Sequence, residues 1–283
     1  MTASTHTFGT SGFVPLDDGR RLHYMERGTG GPVVVFESGM GFSRSTWGLV
    51  QPAVAGHVRA VVYDRAGTGR SDPDPRPRTL ERIAGDLGAL LTALGPGPFI
   101  LVGHSWGGPI VRVAAAADPG RVRGLVLVDQ SDENCDLFFD PATEKRHRMM
   151  QFALPPVARL GLYRLLGSKP GRVQPADVVT DHRAEDFTMR AVGAMLAEMA
   201  PFPGELRGLR DRPPVLGGFD VSVITGMRST RLTASTRKAI TAAHRRTAYA
   251  LPNGRLVEAS KSGHLVMFTE PELIIGEILR MLG

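Results

Sequence analysis

The chain has 283 residues, 42% apolar and 22% charged, a balance that excludes wholesale disorder and suits one large α/β domain with an insertion or two small domains. No apolar run reaches the roughly 18 residues that span a bilayer; Met1 to Gly12 lacks the basic and apolar regions of a secretory leader, and Cys135 has no partner, which together point to a cytoplasmic protein. The net charge of +6 raises nucleic acid as a partner, yet the arginines are scattered, and the densest cluster (Arg237, Lys238, Arg245, Arg246) lies on a helical pattern without interleaved aromatics. That cluster reads as a solvated helix face, so no nucleic-acid partner is expected.

In chain order, Val33 to Phe36 and Ala60 to Tyr63 read as buried strands. Thr79 to Leu94 follows with apolar residues at Leu80, Ile83, Leu87, Leu90, Leu91 and Leu94, the spacing of an amphipathic helix stopped by Gly95 and Pro96. Phe99 to Val102 is a third strand; a helix after Ser105 runs through Ile110, Val113 and Ala114, and Leu125 to Val128 is a fourth strand. Between Ser131 and about Pro214 the alternation breaks: helical patterns at Thr143 to Phe152, Val157 to Leu166 and Asp181 to Met199 are punctuated by Pro155-Pro156 and Pro213-Pro214. Strands resume at Val221 to Thr225 and Arg255 to Glu258, and Pro271 to Leu282 is a closing helix. The pattern is that of βαβ units around a mostly parallel sheet, an α/β core of residues 1–130 and 214–283 interrupted by a helical insertion at 131–213.

Gly103-His104-Ser105-Trp106-Gly107 matches G-x-S-x-G between a strand and a helix. A serine on such a turn needs small flanking residues, because the backbone is strained and closely packed, and the turn presents the hydroxyl at the sheet edge beside a helix N-terminus that favours an oxyanion. Ser105 is therefore the candidate nucleophile. A serine hydroxyl needs a neighbouring imidazole to take its proton. His264 follows the last strand and precedes the closing helix, whereas His104 must point away from Ser105, His244 sits in the arginine-rich helix and reads as solvated, and His23 and His57 flank early strands.

Val102 to Gly108 resembles the nucleophile segment of the α/β-hydrolase superfamily. Tyr63-Asp64-Arg65-Ala66-Gly67-Thr68-Gly69-Arg70-Ser71-Asp72 is similar to that family's D-x-R-G-x-G-x-S loop, and Ser262-Gly263-His264 to its final G-H. The resemblance covers roughly Arg21 to Asp129 and Asp220 to Gly283. It implies an eight-stranded, mostly parallel sheet flanked by helices, a helical cap over the site, and ester-type hydrolysis without a cofactor or metal.

The acid departs from the family's pattern. Most relatives carry it after the strand that here reads Val221 to Thr225, but this chain has Gly226-Met227-Arg228-Ser229, and no Asp or Glu occurs from Val221 to Val257. Some branches, haloalkane dehalogenases among them, carry it one strand earlier, where this chain has Asp129. Neighbouring strands end at the same sheet edge, so a carboxylate there can reach the imidazole and fix its tautomer. Asp132 is the reserve, and a Ser-His dyad helped by water is the third alternative.

Backbone N–H groups of Trp106 and of Met40, in the loop Glu37-Ser38-Gly39-Met40-Gly41, are the expected oxyanion donors, with Glu37 a structural hydrogen-bonding residue. Phe138, Phe139, Met149, Phe152 and Met195 of the insertion are the candidate pocket residues, implying a hydrophobic small-molecule substrate. A carboxylesterase or lactonase fits best. Thioesterase, aminopeptidase, carbon–carbon hydrolase and haloperoxidase-like activities use the same triad, and a non-catalytic ligand-binding homologue is the reading outside enzymes. A serine in this position argues against the aspartate-nucleophile chemistry of epoxide hydrolases and haloalkane dehalogenases. Oligomeric state is left open.

Overall fold

The computed structural model describes residues 6–283; the start of the Ser/Thr-rich N-terminal stretch, residues 1–5, lies outside the described residues. In chain order the elements are β1 (Thr10–Pro15), β2 (Arg21–Arg27), β3 (Val33–Glu37), the single turn α1 (Gln51–Val54), β4 (Ala60–Tyr63), α2 (Leu80–Leu94), β5 (Phe99–His104), α3 (Gly107–Ala117) and β6 (Val122–Val128). Five helices follow before the next strand: α4 (Pro141–Arg159), α5 (Leu162–Gly167), α6 (Ala176–Glu185), α7 (Met189–Met199) and α8 (Phe202–Asp211). The chain then returns to the sheet with β7 (Asp220–Gly226), α9 (Ala234–Ala250), β8 (Gly254–Ala259), the short α10 (Val266–Thr269) and α11 (Pro271–Leu282).

The strands form one eight-stranded sheet in the order β1-β2-β4-β3-β5-β6-β7-β8. Strands β1 and β2 pair antiparallel with each other and with β4, and every pairing from β4 to β8 is parallel. Parallel strands covered on both faces are apolar at every position, with successive residues feeding opposite sides. In β6, Leu125 and Leu127 pack with α2 and α3 on one face, while Val126 and Val128 pack with α1, α10 and α11 on the other. Helix α2 behaves as its spacing requires: all six of its leucine and isoleucine positions named above are buried, Thr79 caps its start by accepting the Arg82 N–H, and Gly95 ends it.

Four features differ from the expectation. Strands β1 and β2 are absent from a reading based on apolar runs, because β1 is an edge strand with most of its side chains exposed. Pro155 and Pro156 lie inside α4 instead of breaking it. Their missing N–H groups free carbonyls one turn earlier, on a stretch as exposed as Phe152, where water can satisfy them. The pattern Asp181 to Met199 is two helices, because Thr188 caps α7 by accepting the Ala191 N–H. Finally, the helix face read as solvated is only partly so. Helix α9 lies against β7 and β8 with Thr241, His244, Thr247 and Ala248 buried, and Arg237 shares that inward stripe.

Among the described residues no helix is long and apolar enough to cross a membrane.

Candidate active site

The carboxyl ends of β3, β5, β6 and β7, and the segment after β8, converge at one sheet edge. Ser105 follows β5 with φ 53°, a left-handed conformation that a non-glycine residue adopts only when its surroundings impose it. Here they do: the Ser105 N–H donates to the Val128 carbonyl at 3.1 Å, and the Ser105 carbonyl accepts from Ser131 N at 2.9 Å. Two glycines make room for the turn. A Cβ on Gly103 would stand 2.4 Å from the Gly107 carbonyl oxygen, and one on Gly107 would stand 2.6 Å from that of Glu37.

Asp129 follows β6, also left-handed with φ 41°, its N–H bonded to the Ile224 carbonyl at 2.8 Å. Its Oδ2 accepts from His264 Nδ1 at 2.7 Å and its Oδ1 from the Gly226 N–H at 2.9 Å. Burial alone would raise its pKa. The hydrogen bond and charge of His264, the nearby His244 and the hydrogen bond from Arg237 overcome that and hold the carboxyl well below the usual range. Gly226 touches the histidine's loop so closely that a Cβ there would sit 1.9 Å from the Gly263 oxygen. The carboxylate on β6 and the backbone after β7 thus divide the place that a carboxylate after β7 would fill.

His264 is half exposed, and together with Ser105, Asp129 and Gly263 it lines a cavity of about 680 Å³. Behind it, His104 is buried and hydrogen-bonds through Nε2 to the His264 carbonyl at 3.0 Å, their rings 4.6 Å apart. A carbonyl only accepts, so His104 carries its proton on Nε2. Burial, then the proximity of His264, push its pKa down to about 3, and it stays neutral while propping the His264 backbone.

Of the two expected oxyanion donors, Trp106 directly follows Ser105 in sequence, and Met40 lies in the loop that approaches Ser105 at Gly39. Trp106 is the residue before α3, and Gly39 packs so near that a Cβ on it would lie 3.3 Å from the Ser105 Cβ. Among the described residues neither the Trp106 nor the Met40 N–H has a backbone acceptor. The Met40 loop is fixed from beneath by Arg65, which donates to the Ser38 and Gly39 carbonyls, to Glu37 and, through Nε and Nη2, to Glu198 of α7 at 3.0 and 2.9 Å. Tyr63 also donates to Glu37, whose pKa burial raises against the pull of Arg65. Arg65 was visible in the sequence only as a letter of a loop motif; the ladder it completes joins residues 133 positions apart.

Asp132 faces away from His264. It accepts from Gln130 Nε2, the Asn134 N–H and the Thr247 hydroxyl at 3.0, 2.9 and 2.7 Å, and holds the turn after β6 together. His244 is buried, not solvated: its nitrogens meet the Thr225 hydroxyl and the Gln130 carbonyl at 2.9 and 2.8 Å. Of the five candidate pocket residues, Phe138 lines the cavity. Phe139 lies under the Arg210 guanidinium, and Met195 is buried against Gly41. Met149 and Phe152 are 62% and 81% exposed, on the outer side of α4, because the α4 face turned toward α7 and toward Phe202 of α8 carries other residues, His147 among them. The opposite cavity wall comes from a segment the sequence reading did not nominate: Arg228, Ser229, Thr230, Thr233, Arg237 and Ile240. Among the described residues no cluster of three or more His, Cys, Asp or Glu side chains is arranged to hold a metal ion.

Comparison with known proteins bears on the family and the fold. The chain is 26% identical over 259 residues to a putative carbamate hydrolase RutD from Agrobacterium fabrum, covering 89% of this chain and 93% of the relative. It is 37% identical over 108 residues to the RutD of Azorhizobium caulinodans, a match spanning 38% of this chain and 40% of that relative. An uncharacterized Bacillus subtilis protein, YqjL, is 32% identical over 123 residues, 49% of its own length, so the chain spans less than half of either of these two relatives. A crystal structure of a hydrolase from Pseudomonas aeruginosa PA01 superposes with a TM-score of 0.71 at 27% identity, covering 97% of this chain and 99% of that one. A thermophilic esterase from Thermogutta terrifontis superposes with a TM-score of 0.72 at 22% identity, covering 97% and 98%, a likeness of fold. With residues 34–277 matching the family's model from end to end of the site just described, the chain belongs to the alpha/beta hydrolase family.

Proposed function

We propose that the protein is a serine hydrolase that cleaves a carboxylic ester or lactone of a small molecule through an acyl-enzyme, with Ser105, His264 and Asp129 as its triad. The observation that carries this reading is the 2.7 Å bond from His264 Nδ1 to Asp129, in a cavity that Ser105 also lines. With Nδ1–H committed to the carboxylate, Nε2 is the basic nitrogen. It takes the Ser105 proton as Oγ attacks the carbonyl carbon, the carbonyl oxygen becomes an oxyanion held by the Trp106 and Met40 N–H groups, and Nε2 returns the proton to the departing alcohol. Water then repeats the sequence on the acyl-enzyme. Each oxyanion donor contributes on the order of 3 kcal/mol to the transition state.

No step calls for a cofactor or a metal. Helices of residues 131–213 serve as the cap, with Phe138 and, from α9, Ile240 offering apolar surface to the hydrophobic part of the substrate and Arg228 a cation at the rim. Carbamate hydrolysis is the second reading, favoured by the description of the Agrobacterium relative and requiring the same acyl chemistry.

The test is labelling of Ser105 by a fluorophosphonate together with turnover of a p-nitrophenyl panel that pairs short and medium acyl esters with carbamates, and neutral with carboxylate-bearing acyl groups. Labelling lost in Ser105→Ala and ester turnover are expected. Folded protein that is neither labelled nor active on any member overturns the hydrolase reading.

A further inference from the structure

Asp129 has more partners than the orientation of one imidazole requires. Arg237, in the first turn of α9, reaches back over 108 positions of sequence and meets both carboxylate oxygens, Nη1 to Oδ1 at 2.6 Å and Nη2 to Oδ2 at 3.1 Å. The side chain is only 12% exposed, and its guanidinium lines the same cavity as Ser105 and His264. Oδ2 is therefore shared between His264 and Arg237, and Oδ1 between the Gly226 N–H and Arg237. A planar fork on a carboxylate fixes its plane as well as its charge, which a lysine in the same place would not do.

We infer that Arg237 is a positioning residue of the active site: it clamps Asp129 in the plane that His264 needs and shares its charge, and thereby sets the acid side of the pH range in which the enzyme works. The inference rests on the triad proposed above. Four other groups bear on the pair, and none duplicates this role. His244, on the same helix, comes within 4.0 Å of Oδ1, but both its ring nitrogens are engaged elsewhere. His104, from β5, is neutral. Arg228, after β7, lines the cavity wall without a hydrogen bond to Asp129 among the described residues. Lys238 adjoins Arg237 in sequence but is exposed.

The sign follows from electrostatics. His264 must be neutral to accept the Ser105 proton, and its imidazolium is stabilised by the charge of Asp129. Arg237 takes up part of that charge and repels the imidazolium. Removing the guanidinium leaves the carboxylate to His264 and the Gly226 N–H, the imidazolium persists to higher pH, and the acid limb of the kcat/KM profile moves up by about one pH unit, the size of shift that a close charge produces.

The experiment is the pH dependence of kcat/KM on a p-nitrophenyl ester, and of the rate of Ser105 labelling, for the wild type, Arg237→Gln, Arg237→Met and Arg237→Lys. Both neutral variants are expected to shift the acid limb upward, and Arg237→Lys, which keeps the charge and loses the fork, to keep the limb within a few tenths of a unit while lowering kcat. A limb in the folded neutral variants that coincides with wild type overturns the inference, as does a lysine variant that shifts as far as glutamine, because the charge of residue 237 then does not set the limb. If one neutral variant fails to fold, the other carries the comparison; if neither folds while Arg237→Lys shifts the limb upward, the clamp also falls. Wild-type protein that resists labelling at every pH overturns the triad and the clamp with it, whereas normal labelling with an unmoved limb removes the clamp alone.

Discussion

Ser105, Asp129 and the Gly226 N–H sit directly at the ends of β5, β6 and β7, strands whose mutual register is fixed by parallel ladders and by apolar packing on both faces. The helices between β6 and β7 share in that packing through Val178 of α6 and Phe202, Leu206 and Leu209 of α8, and α6 and α7 are tied to the frame by polar contacts as well. Buried Arg44 donates to Asp64 in the core and to Asp181 and Glu185 of α6; Arg70 repeats the contacts to Asp181 and Glu185; Ser45 meets Asp186 at 2.6 Å; and Arg65 meets Glu198. Meanwhile α4 and α5 leave Phe152, Leu160, Leu165 and Leu166 exposed. The frame is built by the hydrophobic effect, which is non-directional and tolerant, and α6 and α7 are docked by buried ion pairs, which are directional and fail badly when one partner is lost. Geometry at the strand ends should thus survive changes in the helical segment, and the proposed oxyanion loop, tied to α7 through Arg65, should not survive changes at its arginine.

The largest expected effect tests the frame. Asp129→Asn replaces a carboxylate by an amide, which cannot stabilise an imidazolium and invites the wrong tautomer of His264. A fall in kcat of about 10⁴ is expected, read by steady-state kinetics on folded protein. Asp132→Asn removes charge from a group bonded, among the described residues, to Gln130, Asn134 and Thr247, and its cost should appear in thermal stability with kcat within several-fold of wild type. The reverse ranking would move the acid to Asp132.

Next in size is the joint between the two regions. Arg65→Met leaves Glu37 buried without its cation and Glu198 with only the longer contact from Arg78 at 3.5 Å, and losing one partner of a buried pair costs roughly 3–5 kcal/mol. The expected drop in melting temperature, on the order of 10 °C, is accompanied by a lower kcat, because the Ser38 and Gly39 carbonyls that position Met40 lose their donor. A stability loss with unchanged kcat would show that the oxyanion loop stands without its tether.

The same contrast decides what could be read in the sequence. Alternation and helical spacing are local, so β3 to β8, α2 and the helical nature of residues 141–211 were legible, as was the elbow, whose G-x-S-x-G spacing is contained in five consecutive residues. That His264 and Asp129 could meet was legible through chain order and through the empty stretch from Val221 to Val257. The ion pairs were not, because Arg65 with Glu198 and Arg237 with Asp129 join residues more than a hundred positions apart, and an arginine on a helix reads as solvated until its partner is known. One signal did exist for Arg237: it shares an i, i+4, i+7, i+11 stripe with Thr241, His244 and Ala248, the face that α9 turns inward. The pocket failed for a related reason, since methionine and phenylalanine at helical spacing say that a face is apolar without saying which side of α4 meets the cleft.

That failure sets up the smallest expected effect. Phe152 stood among the candidate pocket residues, yet it is 81% exposed on α4 and absent from the wall that Phe138 helps to form. An exposed side chain away from caps, cavities and ion pairs contributes within about 0.5 kcal/mol of nothing when replaced. Phe152→Ser should therefore leave the melting temperature within a degree or two and KM for every ester of the panel within twofold, while Phe138→Ala, which strips apolar surface from the cavity wall, should raise KM for the medium acyl chains by several-fold. A rise in KM with Phe152→Ser as large as that with Phe138→Ala would mean that α4 turns its outer face inward when substrate binds, and that the ion pairs docking α6 and α7 leave α4 free to do so.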